Sequence, residues 1–230
     1  PNSNKRVDFI VSGEDQMGRE SAVVIELKQW QKMEKVESKE AIVKTNLHGR
    51  NVETIHPSYQ AWSYVSMIED YNEDVRRYKI NLKPCAYLHN YRLKENDDLV
   101  DECYEYYIDK APVFTRGDTD RLSKFISKYI KKGNPDVLYH IDHGRIIPSK
   151  SLQDSLSSML RGNQEFTLID DQKVVFERAL EIVKKVEKKK VYIVHGGPGT
   201  GKTVLAINML VAILNMDQNV MYVTKNSAPR

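Results

Sequence analysis

Short apolar runs alternate with longer amphipathic stretches through residues 1–133 of the chain. Apolar runs bounded by turn-forming residues are typical of strands, whereas apolar positions that recur every three or four residues are typical of helices. The pattern predicts strands over 7–11, 22–27, 84–91 and 112–115, and helices over 57–76 and 118–130. These elements predict an α/β domain in which helices flank a mixed sheet.

The composition changes after this first domain. Residues 134–164 are rich in Pro, Ser, Asn and Gly and lack long periodic runs, which predicts a linker with one short helix over 152–160. A second domain is predicted over 165–230. Its apolar pattern predicts a helix over 170–187, a strand over 191–194, a helix over 204–214 and a strand over 221–224.

The bulk composition is that of a soluble globular protein, because 40% of the 230 residues are apolar and 29% are charged. The net charge of +3, from 35 basic and 32 acidic residues, is too small to identify a nucleic-acid binder by itself. No apolar run reaches the length of a membrane-spanning helix, and no signal peptide is visible. Cys85 and Cys103 lack the spacing of a metal site, so we expect reduced thiols in a cytoplasmic protein.

The strongest chemical signal is a glycine-rich loop between the strand predicted at 191–194 and the helix that follows. The loop matches G-x-x-x-x-G-K-[ST] at every fixed position, with the residues Gly196, Gly197, Pro198, Gly199, Thr200, Gly201, Lys202 and Thr203. In such a loop, backbone N–H groups and the helix N-terminus point at a phosphate chain. We expect Lys202 to reach the β- and γ-phosphates of ATP and Thr203 to hold Mg²⁺. The alternative is a tight strand-to-helix connection without a ligand.

The two ends of the sequence predict a piece of a larger protein. The chain opens on Pro1 and stops at Arg230, 27 residues after Thr203. ATP hydrolysis by a P-loop enzyme also needs a second acidic metal ligand, a group that positions water and a transition-state arginine. We expect these groups to lie beyond Arg230, so that this chain binds ATP weakly and hydrolyses it undetectably.

Charged residues interrupt two apolar strands of the first domain. Asp8 lies within one strand, and Glu26 and Lys28 lie at the end of the next. Because residues i and i+2 of a strand share a face, Glu26 and Lys28 point the same way. Pairing of the two strands would bring Asp8 beside Glu26, where two carboxylates would hold a hard cation such as Mg²⁺ or Mn²⁺. Lys28 would then stabilise negative charge during phosphodiester cleavage.

Asp8 followed by Glu26-x-Lys28 resembles the PD-(D/E)xK nuclease superfamily. Gln60 and Tyr64 form Q-x-x-x-Y on one helical face, which resembles the additional motif of the RecB-type nucleases within that superfamily. The resemblance implies a restriction-endonuclease-like fold with all five residues at the catalytic site and both carboxylates on the metal. The expected order αβββαβ would place a helix and a strand before Asp8, so these are expected to be missing. The alternatives are a salt bridge on an edge strand and a partly buried helix face.

Two further segments of the second domain resemble superfamily 1 helicases. Gln172 lies 24 residues before Gly196 and resembles the glutamine that reads adenine in these enzymes; the alternative is a glutamine without a ligand. Residues 222–226 resemble the helicase motif that contacts a single-stranded backbone. The chain as a whole resembles bacterial nuclease–helicase fusions with a Schlafen-like helicase portion. The resemblance implies a RecA-like P-loop domain, ATP and Mg²⁺ as cofactors, DNA or RNA as partner, and defence against phage or foreign DNA as a setting.

Three interpretations follow. The first is a metal-dependent nuclease joined to an ATP-dependent helicase. The second is a regulatory P-loop ATPase whose first domain binds nucleic acid without cutting it, and the third is a nucleotide-binding scaffold for protein partners. His48, His140 and His143 could also bind a metal, although solvated or helix-capping histidines are far commoner.

Overall fold

A computed structural model of the chain describes residues 7–146, 158–159, 166–185 and 189–223. The chain divides into two compact units at Pro148. The first unit contains the strands β1 (Phe9–Glu14), β2 (Glu20–Lys28), β3 (Met33–Lys35), β4 (Ile42–Leu47), β5 (Arg50–Ile55), β6 (Asn81–Leu88), β7 (Val113–Thr115) and β8 (Lys132–Gly133). Its helices are α1 (Pro57–Tyr71), α2 (Glu73–Tyr78), α3 (Glu105–Lys110), α4 (Thr119–Tyr129) and α5 (Pro135–His143), with single 3₁₀ turns at Asp98–Val100 and Glu102–Tyr104.

A five-stranded sheet in the order β7-β6-β2-β1-β8 forms the centre of this unit. Strand β1 pairs antiparallel with β2 and with β8, whereas β2, β6 and β7 run parallel. The sheet is therefore mixed, and the predicted α/β class with flanking helices is confirmed. Strand β1 begins at Phe9, two residues later than the apolar pattern predicted.

A second, three-stranded sheet in the order β3-β4-β5 has no counterpart in the predicted elements. Strands β4 and β5 form a hairpin whose two-residue turn consists of His48 and Gly49, both with positive φ. Two positive φ angles in succession are typical of the turns that match the twist of paired strands. The alternation of apolar and polar residues on both sides of this turn is the sequence signal that could have predicted the hairpin.

The two faces of the central sheet carry different helices. Ala22 and Val24 of β2 pack with Val65 of α1 on one face. Val23 and Ile25 pack with the half-buried apolar residues of α4 on the other. Because side chains alternate along a strand, Glu26 and Lys28 continue the face that α1 covers. The sheet therefore separates the predicted catalytic residues from helix α4.

The helix predicted over 57–76 is broken at Asn72. This residue has extended dihedral angles, and its Oδ1 accepts a hydrogen bond from Val75 N at 2.9 Å, which caps α2. Its Nδ2 donates to the carbonyls of His140 and Ile141 at 3.2 and 2.9 Å. Asn72 therefore provides hydrogen-bond partners for backbone groups at the N-terminus of α2 and the C-terminus of α5. These bonds stabilise the break at Asn72 relative to a continuous helix.

Helix α5 lies in the segment that composition assigned to a linker. Asn134 caps it by accepting from Asp136 N at 3.0 Å, and Pro135 occupies the first turn, where no N–H is needed. Val137 is fully buried and packs in the cluster that contains Val24. The segment from 134 to 143 is therefore part of the first unit.

The second unit contains α6 (Asp171–Lys184) and α7 (Lys202–Leu214), which follow two of the predicted helices closely. The strands predicted at 191–194 and 221–224 do not form within the described residues, and Val191, Met221 and Val223 are largely exposed. A strand requires a neighbour that accepts its hydrogen bonds, and an apolar run alone does not supply one. Most of the helix predicted at 152–160 lies outside the described residues.

None of the described helices is both long enough and apolar enough to cross a membrane.

Candidate functional site

The glycine-rich loop of the second unit turns sharply into helix α7. Gly199 and Gly201 have φ angles of 73° and 79°, which favour glycine. A Cβ atom on Gly201 would lie 2.5 Å from Gln172 Nε2, and one on Gly196 would lie 2.7 Å from Thr200 Oγ1. Side chains at these positions would therefore displace the groups that hold the loop together.

Lys202 lies against the loop. Its Nζ donates to the carbonyls of Gly196 and Gly197 at 2.8 and 2.5 Å. Thr200 Oγ1 donates to the same carbonyl of Gly197 at 2.9 Å. Lys202 and Thr200 thus fix the first half of the loop next to the start of helix α7, which begins at Lys202.

Gln172 joins helix α6 to this loop. Its Nε2 donates to the carbonyl of Thr200 at 3.0 Å, and its Oε1 accepts from Ile169 N at 3.2 Å. The structure therefore brings the predicted adenine-reading residue to the predicted phosphate loop, although 28 positions separate Gln172 from Thr200. Both polar groups of the amide are used, so the side chain has a fixed orientation.

The loop and the first turn of α7 present the kinds of group that would hold the phosphates of ATP. Exposed Lys202 and Thr203 open the helix, whose free N–H groups favour anions. The apolar side of α7 anchors this end, because Ile207 and Val211 are buried against Phe166. With ATP bound, the Lys202 ammonium would neutralise phosphate charge and the Thr203 hydroxyl would supply an oxygen ligand for Mg²⁺.

The first unit holds the predicted carboxylate site. Asp8 directly precedes β1, and its Oδ2 accepts a hydrogen bond from Leu27 N at 2.9 Å. The β1–β2 pairing begins with Phe9 opposite Ile25, so Asp8 lies just before the paired residues, beside the segment of β2 that carries Glu26 and Lys28.

Glu26 and Lys28 form an ion pair. Lys28 Nζ lies 2.5 Å from Glu26 Oε1, and the two side chains are 17% and 3% exposed, respectively. The same ammonium lies 5.5 Å from the centre of the Trp30 ring. Burial removes most of the water that would screen these charges, so loss of either partner is costly. Asp8, in contrast, is exposed.

Gln60 and Tyr64 lie next to each other on helix α1. Gln60 Nε2 donates to Tyr64 Oη at 3.0 Å, and Tyr64 is only 4% exposed. The neighbouring Val65 packs on Val24 of β2, so this side of the helix covers the face that continues to Glu26. The pair therefore belongs to the buried side of α1, as the helical spacing indicated.

The predicted cation ligands of the first unit are two carboxylates, Asp8 and Glu26. Within the described residues, no group of three or more His, Cys, Asp or Glu side chains is placed to hold a metal ion. Carboxylate oxygens suit Mg²⁺, which usually keeps several waters and binds one or two carboxylates together with substrate phosphates. Asp8 and Glu26 are the residues that would hold such a cation, with Lys28 beside them.

His48, His140 and His143 do not come together. His140 Nδ1 lies 3.3 Å from Asp74 Oδ2, and His143 stacks on Tyr139 with ring centres 4.3 Å apart. Both cysteines are free; burial raises the pKa of the Cys85 thiol to about 12, and partial desolvation together with the Asp101 carboxylate raises the pKa of the exposed Cys103 thiol to about 11. Neither thiol is activated as a nucleophile.

His56 is a residue whose role the sequence did not reveal. It caps α1, since its Nδ1 accepts from Ser58 N at 3.2 Å and its Nε2 donates to the carbonyl of Leu99 at 3.0 Å. The ring is fully buried and stacks on Tyr104 with centres 4.5 Å apart. Burial lowers the pKa of His56 to about 4, so the neutral ring fixes the helix that carries Gln60 and Tyr64.

The fold is that of an α/β protein, and its second unit carries a glycine-rich loop that turns into helix α7. Residues 189–230 match the family model described as Schlafen group 3, DNA/RNA helicase domain. This match covers the loop from Gly196 to Thr203 and supports a Schlafen-like helicase portion. No curated protein and no solved structure matches the chain.

Proposed function

We propose that this chain belongs to a nucleic-acid-processing enzyme in which a nuclease unit is joined to an ATP-dependent helicase or translocase. In this proposal the PD-(D/E)xK-like domain covers 1–133 and extends through α5. The RecA-like P-loop domain begins near residue 165. Defence against phage or foreign DNA is the setting that the resemblance to nuclease–helicase fusions implies.

The helicase half is supported by the family match over residues 189–230, which indicates an enzyme that uses ATP to act on nucleic acid. The observation that carries this half is the hydrogen bond from Gln172 to Thr200. An amide fixed beside the phosphate loop offers one donor and one acceptor, the pair of groups that an adenine edge requires. Nucleotide binding would exchange the present partners of the Gln172 amide, Ile169 N and the Thr200 carbonyl, for the base.

The nuclease half is supported by the arrangement around β2. Asp8 contacts the main chain of Leu27, between Glu26 and Lys28. After the β3–β5 sheet and helices α1 and α2, the chain returns to the central sheet as β6, which pairs parallel with β2. The sequence resemblance assigned the same three residues to one catalytic site.

Each predicted site residue of the first unit has a role in the proposed cleavage. Asp8 and Glu26 would hold Mg²⁺ or Mn²⁺, which supplies charge neutralisation and an activated water when it is bound. Lys28 would stabilise negative charge on the phosphate in the transition state. Gln60 would orient the substrate or a water molecule, while its bond to Tyr64 fixes the amide.

A second candidate is a regulatory ATPase whose first unit binds nucleic acid without cutting it. The ion pair between Lys28 and Glu26 favours this candidate, because it engages a carboxylate that the nuclease would use for metal. In this function the carboxylates stabilise the fold and the second unit keeps its nucleotide site.

Cleavage of end-labelled single-stranded and duplex DNA and RNA separates the two candidates. The assay contains Mg²⁺ or Mn²⁺, with and without ATP, and compares the chain with its Lys202→Ala variant. Metal-dependent cleavage by the chain supports the nuclease. Binding of nucleic acid and ATP without cleavage under any of these conditions supports the second candidate.

A further inference from the structure

Helix α4 carries a row of cations on its exposed side. Arg121, Lys124 and Lys128 follow one another at spacings of three and four residues, and Lys131 continues the row past the helix end. All four side chains belong to exposed residues. At 1.5 Å per residue, the row from Arg121 to Lys128 is about 10 Å long. The apolar residues of the helix form a separate stripe that packs on the sheet.

The segment that carries this row is one of two strongly basic stretches of the chain; the other is 184–190, with five Lys and one Glu. Residues 116–133 contain six Lys or Arg and two Asp, which gives +4, whereas the whole chain carries only +3. Asp118 pairs with Arg121 at 2.9 Å and accepts from Thr115 N at 2.8 Å, so it neutralises the start of the row. In the part of the chain that the structure describes, Lys124, Lys128 and Lys131 form no ion pair.

An aromatic ring lies beside the cations. The ammonium groups of Lys83 and Lys128 lie 5.5 and 5.3 Å from the centre of the Tyr129 ring. Tyr129 is half-buried, and its position on the helix joins the apolar stripe to the cationic row. Rings next to cations are a recurrent feature of surfaces that follow a nucleic-acid strand.

The row lies on the side of the sheet away from the candidate catalytic residues. Helix α4 starts after β7, at one edge of the sheet, and leads into β8 at the other edge. It packs on Val23 and Ile25, whereas Glu26 and Lys28 belong to the face that α1 covers. Cations on α4 are therefore too remote to take part in chemistry at Asp8 and Glu26.

We propose that this row, Arg121, Lys124, Lys128 and Lys131, is a separate binding surface for the phosphate backbone of nucleic acid. It would hold a strand without reading its sequence, on the opposite side of the unit from the site of cleavage. Charge complementarity favours a polyanion, and the helicase match favours nucleic acid over an acidic protein. The choice of nucleic acid as the partner rests on the proposed function, whereas the binding surface itself is inferred from the charges on α4.

Fluorescence anisotropy of the 230-residue chain with a labelled 30-nucleotide strand and with the matching duplex tests the surface. The buffer contains EDTA and no nucleotide, so neither cleavage nor ATP contributes. The test variant combines Lys124→Gln, Lys128→Gln and Lys131→Gln. The control combines Lys32→Gln, Lys44→Gln and Lys94→Gln, three exposed lysines that lie elsewhere on the same unit. Titrations are repeated between 50 and 200 mM salt.

We expect the test variant to bind at least tenfold more weakly at low salt, while the control stays within twofold of the unchanged chain. The slope of log K against log salt should fall by about 2 to 3, since each lost phosphate contact removes about 0.7 to 0.9. Equal affinities of the test and control variants would overturn the proposal, even for a chain that cleaves DNA. So would a chain that binds poly-glutamate as tightly as nucleic acid.

Discussion

The side-chain amide of Gln172 donates to the carbonyl of Thr200 at 3.0 Å and so connects helix α6 to the glycine-rich loop. A hydrogen bond to a single carbonyl of a short loop limits how that loop can move. The same amide accepts from Ile169 N, so a change at the loop is transmitted directly to the start of α6. Binding of a nucleotide at the loop would therefore alter the hydrogen bonds at the start of helix α6.

Lys202→Ala should weaken nucleotide binding strongly. Lys202 is the cation of the loop, and its loss leaves phosphate charge without its main partner. We expect at least a tenfold loss of affinity for a fluorescent ATP analogue, measured by titration. Lys185→Ala is the matched control, because that lysine is exposed, lies directly after helix α6 and pairs with Glu181 of that helix. Equal losses in both variants would contradict a phosphate role for Lys202.

Gln172→Ala should weaken ATP binding and lower the preference for ATP over GTP. The net contribution of one hydrogen bond is about 1 kcal/mol, which corresponds to about a fivefold change in affinity. Competition of unlabelled ATP and GTP against the same analogue measures both effects. An unchanged ratio of the two affinities would assign Gln172 to loop structure alone.

Acid should destabilise the first unit through His56. The folded-state pKa of about 4 lies below the unfolded value of about 6.5, so the unfolded chain takes up the proton first as pH falls. Stability is therefore lost between pH 6.5 and pH 4, by about 2 kcal/mol down to pH 5. Both tryptophans, Trp30 and Trp62, lie in this unit, so urea unfolding followed by tryptophan fluorescence reports on it alone.

His56→Asn provides the comparison, because asparagine can cap α1 but does not titrate. We expect this variant to be less stable at pH 7 and to lose most of the pH dependence between 6.5 and 5. His48→Asn is the control, since His48 is exposed and lies in a hairpin turn. A His56→Asn variant with the same pH profile as the unchanged chain would contradict the buried neutral ring.

The sequence was most informative where a local rule determines geometry. The two-residue periodicity of a strand predicted that Glu26 and Lys28 share a face, and their ion pair follows from it. Helical spacing likewise predicted that Gln60 and Tyr64 share a face of α1, and their hydrogen bond is consistent with that placement. The glycine pattern predicted a sharp turn into a helix that begins at Lys202.

Features that depend on distant partners could not be predicted. The break at Asn72 is stabilised by carbonyls of His140 and Ile141, which lie 68 and 69 positions away. Helix α5 looked like a linker because its burial depends mainly on Val137, which is a weak periodic signal. The apolar run at 191–194 indicated a strand, yet periodicity cannot state which neighbour would pair with it.

Tyr64→Phe and Gln60→Ala should both slow the proposed cleavage. Removal of the Tyr64 hydroxyl leaves the Gln60 amide without its partner on α1, and Gln60→Ala removes the amide itself. We expect Gln60→Ala to be the slower enzyme and Tyr64→Phe to be partly active, with tryptophan fluorescence confirming the fold. Full activity of Gln60→Ala would show that the pair is structural.

Cleavage of nucleic acid by the Asp8→Asn variant tests the proposed nuclease site directly. Asp8 is exposed, and asparagine keeps an acceptor for Leu27 N, so the substitution removes charge with little effect on folding. Glu34→Gln, an exposed change on β3, is the control for charge. With Mg²⁺ or Mn²⁺, we predict that Asp8→Asn cleaves labelled nucleic acid about 100-fold more slowly or not at all, while the control keeps the rate of the unchanged chain. Metal-dependent cleavage by Asp8→Asn at the unchanged rate would contradict the proposed nuclease site.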